Sequence, residues 1–178
     1  CPRKNPVIEG KDLFNSAFFL ADGEIKFIQN KTLLPTYDIF DEYRYFEPAS
    51  EFGVVTYKGK KIALTICEDI WNIGNENPMY NICPMDEMMP YQPDFMLNLS
   101  ASPFSYKQAE ERRHVVKTNV NRYKLPIFYV NHVGAQTELI FDGGSLVYSP
   151  DGRLYDEMPY FEEAIQYYDL EEVSKGRN

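Results

Sequence analysis

Three short apolar runs, Lys61–Ile66, Asp94–Leu99 and Ile127–Val130, dominate the middle of the chain, and an amphipathic stretch separates the second from the third. In that stretch Tyr106, Ala109, Val116, Val120 and Tyr123 recur at helical spacing, while Lys107, Glu110, Glu111, Lys117 and Asn121 take the other positions. Pro126 ends the helix. Strand, helix, strand alternation with hairpins between the elements means an α/β fold with a mixed sheet. The periodicity makes the apolar stripe of the helix part of the core.

The hairpins are read from turn residues. Ser16–Leu20 and Glu24–Gln29 are strands joined by Ala21-Asp22-Gly23, where Asp-Gly favours a tight turn. Val54–Tyr57 and Lys61–Ile66 pair about Lys58-Gly59-Lys60, and Leu146–Ser149 pairs with Arg153–Tyr155 about Pro150-Asp151-Gly152. Lys31 opens a polar, aromatic loop. Residues 73–91, with Gly74, Pro78, Pro84 and Pro90, form an irregular excursion with one short helix near 86–89. A strand-like alternation over Glu163–Leu170 closes the chain.

Composition narrows the function classes. The 178 residues, 44% hydrophobic and 15% aromatic, support one globular domain with a sizeable core. No apolar run has membrane-spanning length and the first residues lack the apolar core of a signal peptide, so a cytoplasmic protein with no membrane partner is expected. A net charge of −9 without long Lys or Arg runs excludes a nucleic-acid partner. The cysteines Cys1, Cys67 and Cys83 have no CxxC spacing, which suggests reduced thiols with neither a disulfide framework nor a metal site.

Cys67 stands where IALTI, the second strand of its hairpin, ends, and catalytic groups of α/β sheets gather at the carboxyl ends of strands. Amide hydrolysis through a thioester needs a thiolate, a proton-transfer group and a donor where the oxyanion develops. A free thiol is mostly protonated at neutral pH, so Cys67 needs a cation or a base beside it. Taken alone, Cys67 reads equally well as an inert buried thiol and Lys31 as a surface lysine.

Their context decides between these readings. The pattern Lys31-x-x-Leu34-Pro35-x-Tyr37-x-x-Phe40-x-Glu42-x-Arg44, then Ile66-Cys67-Glu68-Asp69-Ile70-Trp71 and Asn98-Leu99-Ser100-Ala101-Ser102-Pro103, resembles the nitrilase, or carbon–nitrogen hydrolase, superfamily. Within it the chain is most similar to the glutamine-hydrolysing domains of glutamine-dependent NAD synthetases, from about Leu13 to Ser145. The resemblance implies the α-β-β-α sandwich of the nitrilase fold, with mixed sheets. It also implies a Glu-Lys-Cys triad with Cys67 as nucleophile, Lys31 at the thiolate and oxyanion, and the backbone N–H of Glu68 as second donor. Glu42 matches a supporting glutamate that contacts the lysine and the amino end of the substrate; the alternatives are that it is the base itself or that it pairs with Arg44 on a solvated loop. The base glutamate of the family lies ahead of Cys1, so residues 1–178 read as a partial domain that exposes sheet edge and apolar surface and is inactive alone. Tyr37, Phe40 and Trp71 match aromatic walls of the glutamine pocket, Ser100 or Ser102 a position holding its α-carbon groups, and one of Arg112 and Arg113 is a candidate for the substrate carboxylate.

Further expectations come from the same resemblance: glutamine as substrate, a synthetase domain on the same polypeptide, a homo-oligomeric assembly, and no cofactor here, with ATP and magnesium serving the synthetase domain. The rivals are a stand-alone amidase of the superfamily, a catalytically dead binding domain, a Cys-His enzyme using His132, and a metal site built from Cys67, Cys83, His114 and His132. Ile66 and Glu68 flank Cys67 in place of the glycines that a sharp nucleophile turn calls for.

Overall fold

A computed structural model describes residues 1–6 and 10–176. β1 (Pro2–Lys4), β2 (Leu13–Ala21) and β3 (Glu24–Asn30) form an antiparallel three-stranded sheet. A six-stranded sheet runs β11-β10-β7-β6-β5-β4, built from β4 (Val55–Tyr57), β5 (Lys60–Ile66), β6 (Phe95–Ser100), β7 (Ile127–Asn131), β10 (Leu146–Tyr148) and β11 (Leu154–Glu157). Its three central strands β5, β6 and β7 are parallel and its outer pairs antiparallel, which makes it the mixed sheet expected. A separate hairpin joins β8 (Val133–Gln136) and β9 (Leu139–Asp142). Turn chemistry sets the first two hairpins: Asp22-Gly23 and Lys58-Gly59 all have positive φ, the conformation a two-residue hairpin turn requires.

Period-two alternation divides the side chains of the central strands between two layers. Ala63, Met96, Ile127 and Tyr129 point to α2 (Pro84–Met88) and α3 (Gln108–Tyr123), burying Met85, Met88, Val116, Val120 and Tyr123 with them. Leu64 and Ile66 point the other way, against Ala17 of the three-stranded sheet, and Phe19 meets Tyr57 edge-on at 5.4 Å between the sheets. Helices, six strands and three strands are thus stacked in that order, three of the four layers of an α-β-β-α sandwich.

Several expectations need correction. The helix begins at Gln108, and Tyr106, assigned to its apolar stripe, is fully exposed ahead of it. Arg112 and Asn119 share the buried face instead, because each finds polar partners beneath the helix. Residues 163–169 form no strand: Asp169 accepts from the backbone N–H groups of Glu171 (2.8 Å) and Glu172 (3.2 Å) and caps α4 (Leu170–Lys175). The loop after Lys31 contains the short helix α1 (Glu42–Tyr45). The predicted short helix near 86–89 is α2 followed by a single 3-10 turn.

Candidate active site

β5 ends at Ile66, and the chain turns sharply at Cys67, whose φ is +45°, into a 3-10 turn over Cys67–Ile70. A non-glycine residue in the left-handed region costs on the order of 1 kcal/mol, so neighbouring structure must hold it there. The flanking residues gave no sign of this turn. It lifts Cys67 out of the strand, where it stays partly buried and lines two adjoining clefts of about 260 and 440 Å³.

Lys31 follows β3 and is 1% exposed, a burial that lysine tolerates only when paired. Its Nζ donates to Glu42 Oε2 at 2.6 Å, and Glu42 is carried by α1, whose first N–H donates to Pro35 O at 3.1 Å. Lys31, Glu42 and Cys67 line the smaller cleft together with Phe40, Glu68 and Ser100. Burial pushes the Cys67 thiol above its ordinary value, and the Lys31 ammonium pulls against that shift without cancelling it. In this state the sulfur is a thiol, and it reacts only when a base takes its proton.

The larger cleft is lined by Tyr37, Phe40, Trp71 and Ser102, along with Cys67 and Glu68. Tyr37 and Phe40 meet edge-on at 5.7 Å. The structure therefore places Lys31, Tyr37, Phe40, Glu42, Trp71, Ser100 and Ser102 along the two clefts that Cys67 lines, with unequal freedom to act. Ser102 is bound on every side: its N–H donates to Asn131, its carbonyl accepts from Arg112 and Asn131, and its hydroxyl accepts from Gln108. Ser100 donates to Asn98 Oδ1 at 2.7 Å, and Asn98 Nδ2 donates to Thr65 and, at 3.4 Å, to the carbonyl of Cys67.

Sequence reasoning valued Glu68 only for its backbone. Its carboxylate is 4% exposed, lines both clefts, and accepts hydroxyl protons from Tyr37 and Tyr80 at 3.0 Å each. Burial pushes this carboxyl up, and the two phenols pull it partly back. Neither Arg112 nor Arg113 is available for a substrate carboxylate. Arg112 forms a buried bidentate pair with Asp142, and Arg113 pairs with Glu157. His132 packs on Phe141 at 4.8 Å and lines neither cleft, and His114 lines a separate hollow beside Trp71, so no Cys-His pair forms. Among the described residues no group of three or more His, Cys, Asp or Glu side chains is placed to hold a metal ion.

A family profile described as carbon–nitrogen hydrolase matches residues 1–176. The chain belongs to the carbon–nitrogen hydrolase family. Glutamine-dependent NAD(+) synthetases resemble this carbon–nitrogen hydrolase chain at 40% identity in a Synechocystis species and 36% in Thermotoga maritima, each over 90% of this chain. The chain spans 29% and 27% of those relatives. Among solved structures, the glutamine-dependent NAD+ synthetase of Acinetobacter baumannii superposes with a TM-score of 0.79 at 33% identity, covering 92% of this chain and 29% of that one. A carbon–nitrogen hydrolase from Helicobacter pylori, 22% identical with a TM-score of 0.72 over 85% of this chain and 55% of its own, shares the fold.

Proposed function

We propose that this chain is the glutamine-hydrolysing part of a larger NAD synthetase, acting in the cytoplasm in an assembly of identical polypeptides. The observation that carries the reading is the constellation itself: a cysteine on a left-handed turn at a strand end, sharing a cleft with a buried lysine and the partly buried glutamate that pairs with it. The Cys67 sulfur attacks the side-chain amide carbon of glutamine. The oxyanion that forms is met by the Lys31 ammonium and the backbone N–H of Glu68. Collapse of the tetrahedral species expels ammonia and leaves a γ-glutamyl thioester, which water then opens to glutamate. The proton is carried by the glutamate that the family resemblance places ahead of Cys1. Glu42 keeps the lysine aimed through its 2.6 Å hydrogen bond.

Glu68 gives the site its selectivity. A buried carboxylate beside the nucleophile, already oriented by two phenols, favours a substrate that brings its own cation, and the α-ammonium of glutamine is such a group. Tyr37, Phe40 and Trp71 wall the methylene chain between the ammonium and the amide. The ammonia serves an ATP- and magnesium-dependent amidation of nicotinic acid adenine dinucleotide on the synthetase part of the polypeptide.

Measured as glutamate release by the full-length protein, Glu68→Gln raises KM for glutamine roughly 10- to 100-fold, the worth of one charge-assisted hydrogen bond. It also narrows the preference for glutamine over simple amides. An unchanged KM with an unchanged preference contradicts the assignment and favours a stand-alone amidase with no use for the ammonium.

A further inference from the structure

One buried carboxylate remains unused by this scheme. Asp69 is 2% exposed, and three backbone N–H groups point at it: Oδ1 accepts from Thr32 at 3.0 Å and Leu33 at 2.9 Å, and Oδ2 accepts from Ile66 at 3.1 Å. Thr32 follows Lys31, and Ile66 precedes Cys67. A single side chain therefore joins the segment that carries the cation to the segment that carries the thiol, which lie 36 and 37 residues apart at the bonded positions.

No sheet does this for them. β3 ends at Asn30 in the three-stranded sheet and β5 ends at Ile66 in the six-stranded one, so both reactive side chains stand just past the last residue of strands that do not pair with each other. The Lys31 backbone is bonded to Asn15 and Ala49, which tie it to its own side of the cleft. The bond from Ile66 N–H to Asp69 closes the 3-10 turn in which Cys67 holds its left-handed φ. Burial pushes the Asp69 carboxyl up to about 6, while the three N–H donors and Lys31 act the other way.

We propose that Asp69 is a positioning residue, whose carboxylate fixes the distance between the Lys31 ammonium and the Cys67 sulfur and holds the turn on which the sulfur stands. It touches no substrate. Its effect reaches the chemistry through the two backbone segments, and reacting groups misplaced by about 1 Å lose on the order of 10²-fold in rate.

The proposal rests on the nucleophilic reading of Cys67, but its first readout needs no glutamine. Alkylation of Cys67 by iodoacetamide, followed on its own peptide by mass spectrometry in the full-length protein over a pH series, reports how strongly Lys31 favours the thiolate. In Asp69→Asn the oxygen still accepts from Thr32 and Leu33, while the amide group meets the Ile66 N–H donor against donor. In Asp69→Ala all three bonds are lost. Below the melting temperature of every variant, the alkylation midpoint rises in the order wild type, Asn, Ala. The kcat for glutamine falls in the same order, by about 100-fold in Ala, with KM moved by less than roughly threefold. Should the Ala variant fail to fold, the Asn variant carries the test. Folded variants with the wild-type alkylation midpoint and kcat overturn the proposal. A shifted midpoint in a protein whose wild type releases no glutamate leaves Asp69 in its role and removes only the glutaminase reading.

Discussion

Asp69 carries a charge that the fold disfavours and the site uses, and this opposition has a definite pH signature. Its carboxyl stands raised from the ordinary 3.8 to about 6, so the folded chain binds this proton more tightly than the unfolded chain does. The contribution to stability is therefore fully present below the ordinary value and is lost as pH rises through about 6. Asp69→Asn has no such proton. Its melting temperature, compared with wild type in thermal scans, gains on wild type as pH climbs through that window, a change on the order of 3 kcal/mol. Glu68, also raised, titrates in both proteins and cancels from the difference. A gap between the two proteins that is constant with pH contradicts the burial argument. At this scale the sequence was readable where chemistry is local. Cys67, Lys31 and Glu42 were singled out through the motifs that carry the family resemblance, and the fold brings them into one cleft. Asp69, Tyr80 and the Glu68 carboxylate were missed, because their roles depend on groups brought from 12 to 37 residues away.

Helix α3 shows the same lesson at the scale of elements. Its apolar stripe and charged face were legible from a 3.6-residue period, yet Arg112, only 1% exposed, belongs to neither the apolar nor the solvated set. Arg112 reaches Asp142 and the carbonyl of Ser102, and Asn131 completes the cluster that pins Ser102, which lines a cleft with Cys67. Removing one member of a buried ion pair leaves the other charged and desolvated, so Arg112→Ala destabilises the fold by about 3–5 kcal/mol, read by chemical denaturation. A loss below about 1 kcal/mol means that the pair is not held as described, since that is the range of exposed pairs. The strand predicted over 163–170 failed for a comparable reason. Period-two alternation indicates a strand only if an edge accepts it, and here Tyr168 packs on Phe128 and donates to Asp156 while Asp169 starts a helix. The hairpin of β8 and β9 went unread because its exposed face carries no apolar alternation strong enough to mark it.

On the scale of the molecule, the order of strands and helix in the sequence gave the fold class, and the turn residues gave three of the hairpins. What the sequence left undetermined was which sheet each hairpin joins, because that depends on layers rather than on neighbours in the chain. The layers leave apolar side chains uncovered: Leu20 and Ile25 of the three-stranded sheet are 68% and 57% exposed, and Val130 and Leu99 of the six-stranded sheet 49% and 40%. Leu99 also lines the cleft that holds Cys67, so the reactive centre lies at the margin of this uncovered surface. The catalytic account belongs to the full-length protein, and there one measurement tests it most directly. Quenched during turnover with glutamine and digested, the protein is predicted to carry one γ-glutamyl group on the peptide containing Cys67, sensitive to hydroxylamine and absent from Cys67→Ala, which releases no glutamate. Glutamate release that persists in Cys67→Ala, with no adduct on the wild-type peptide, contradicts the account.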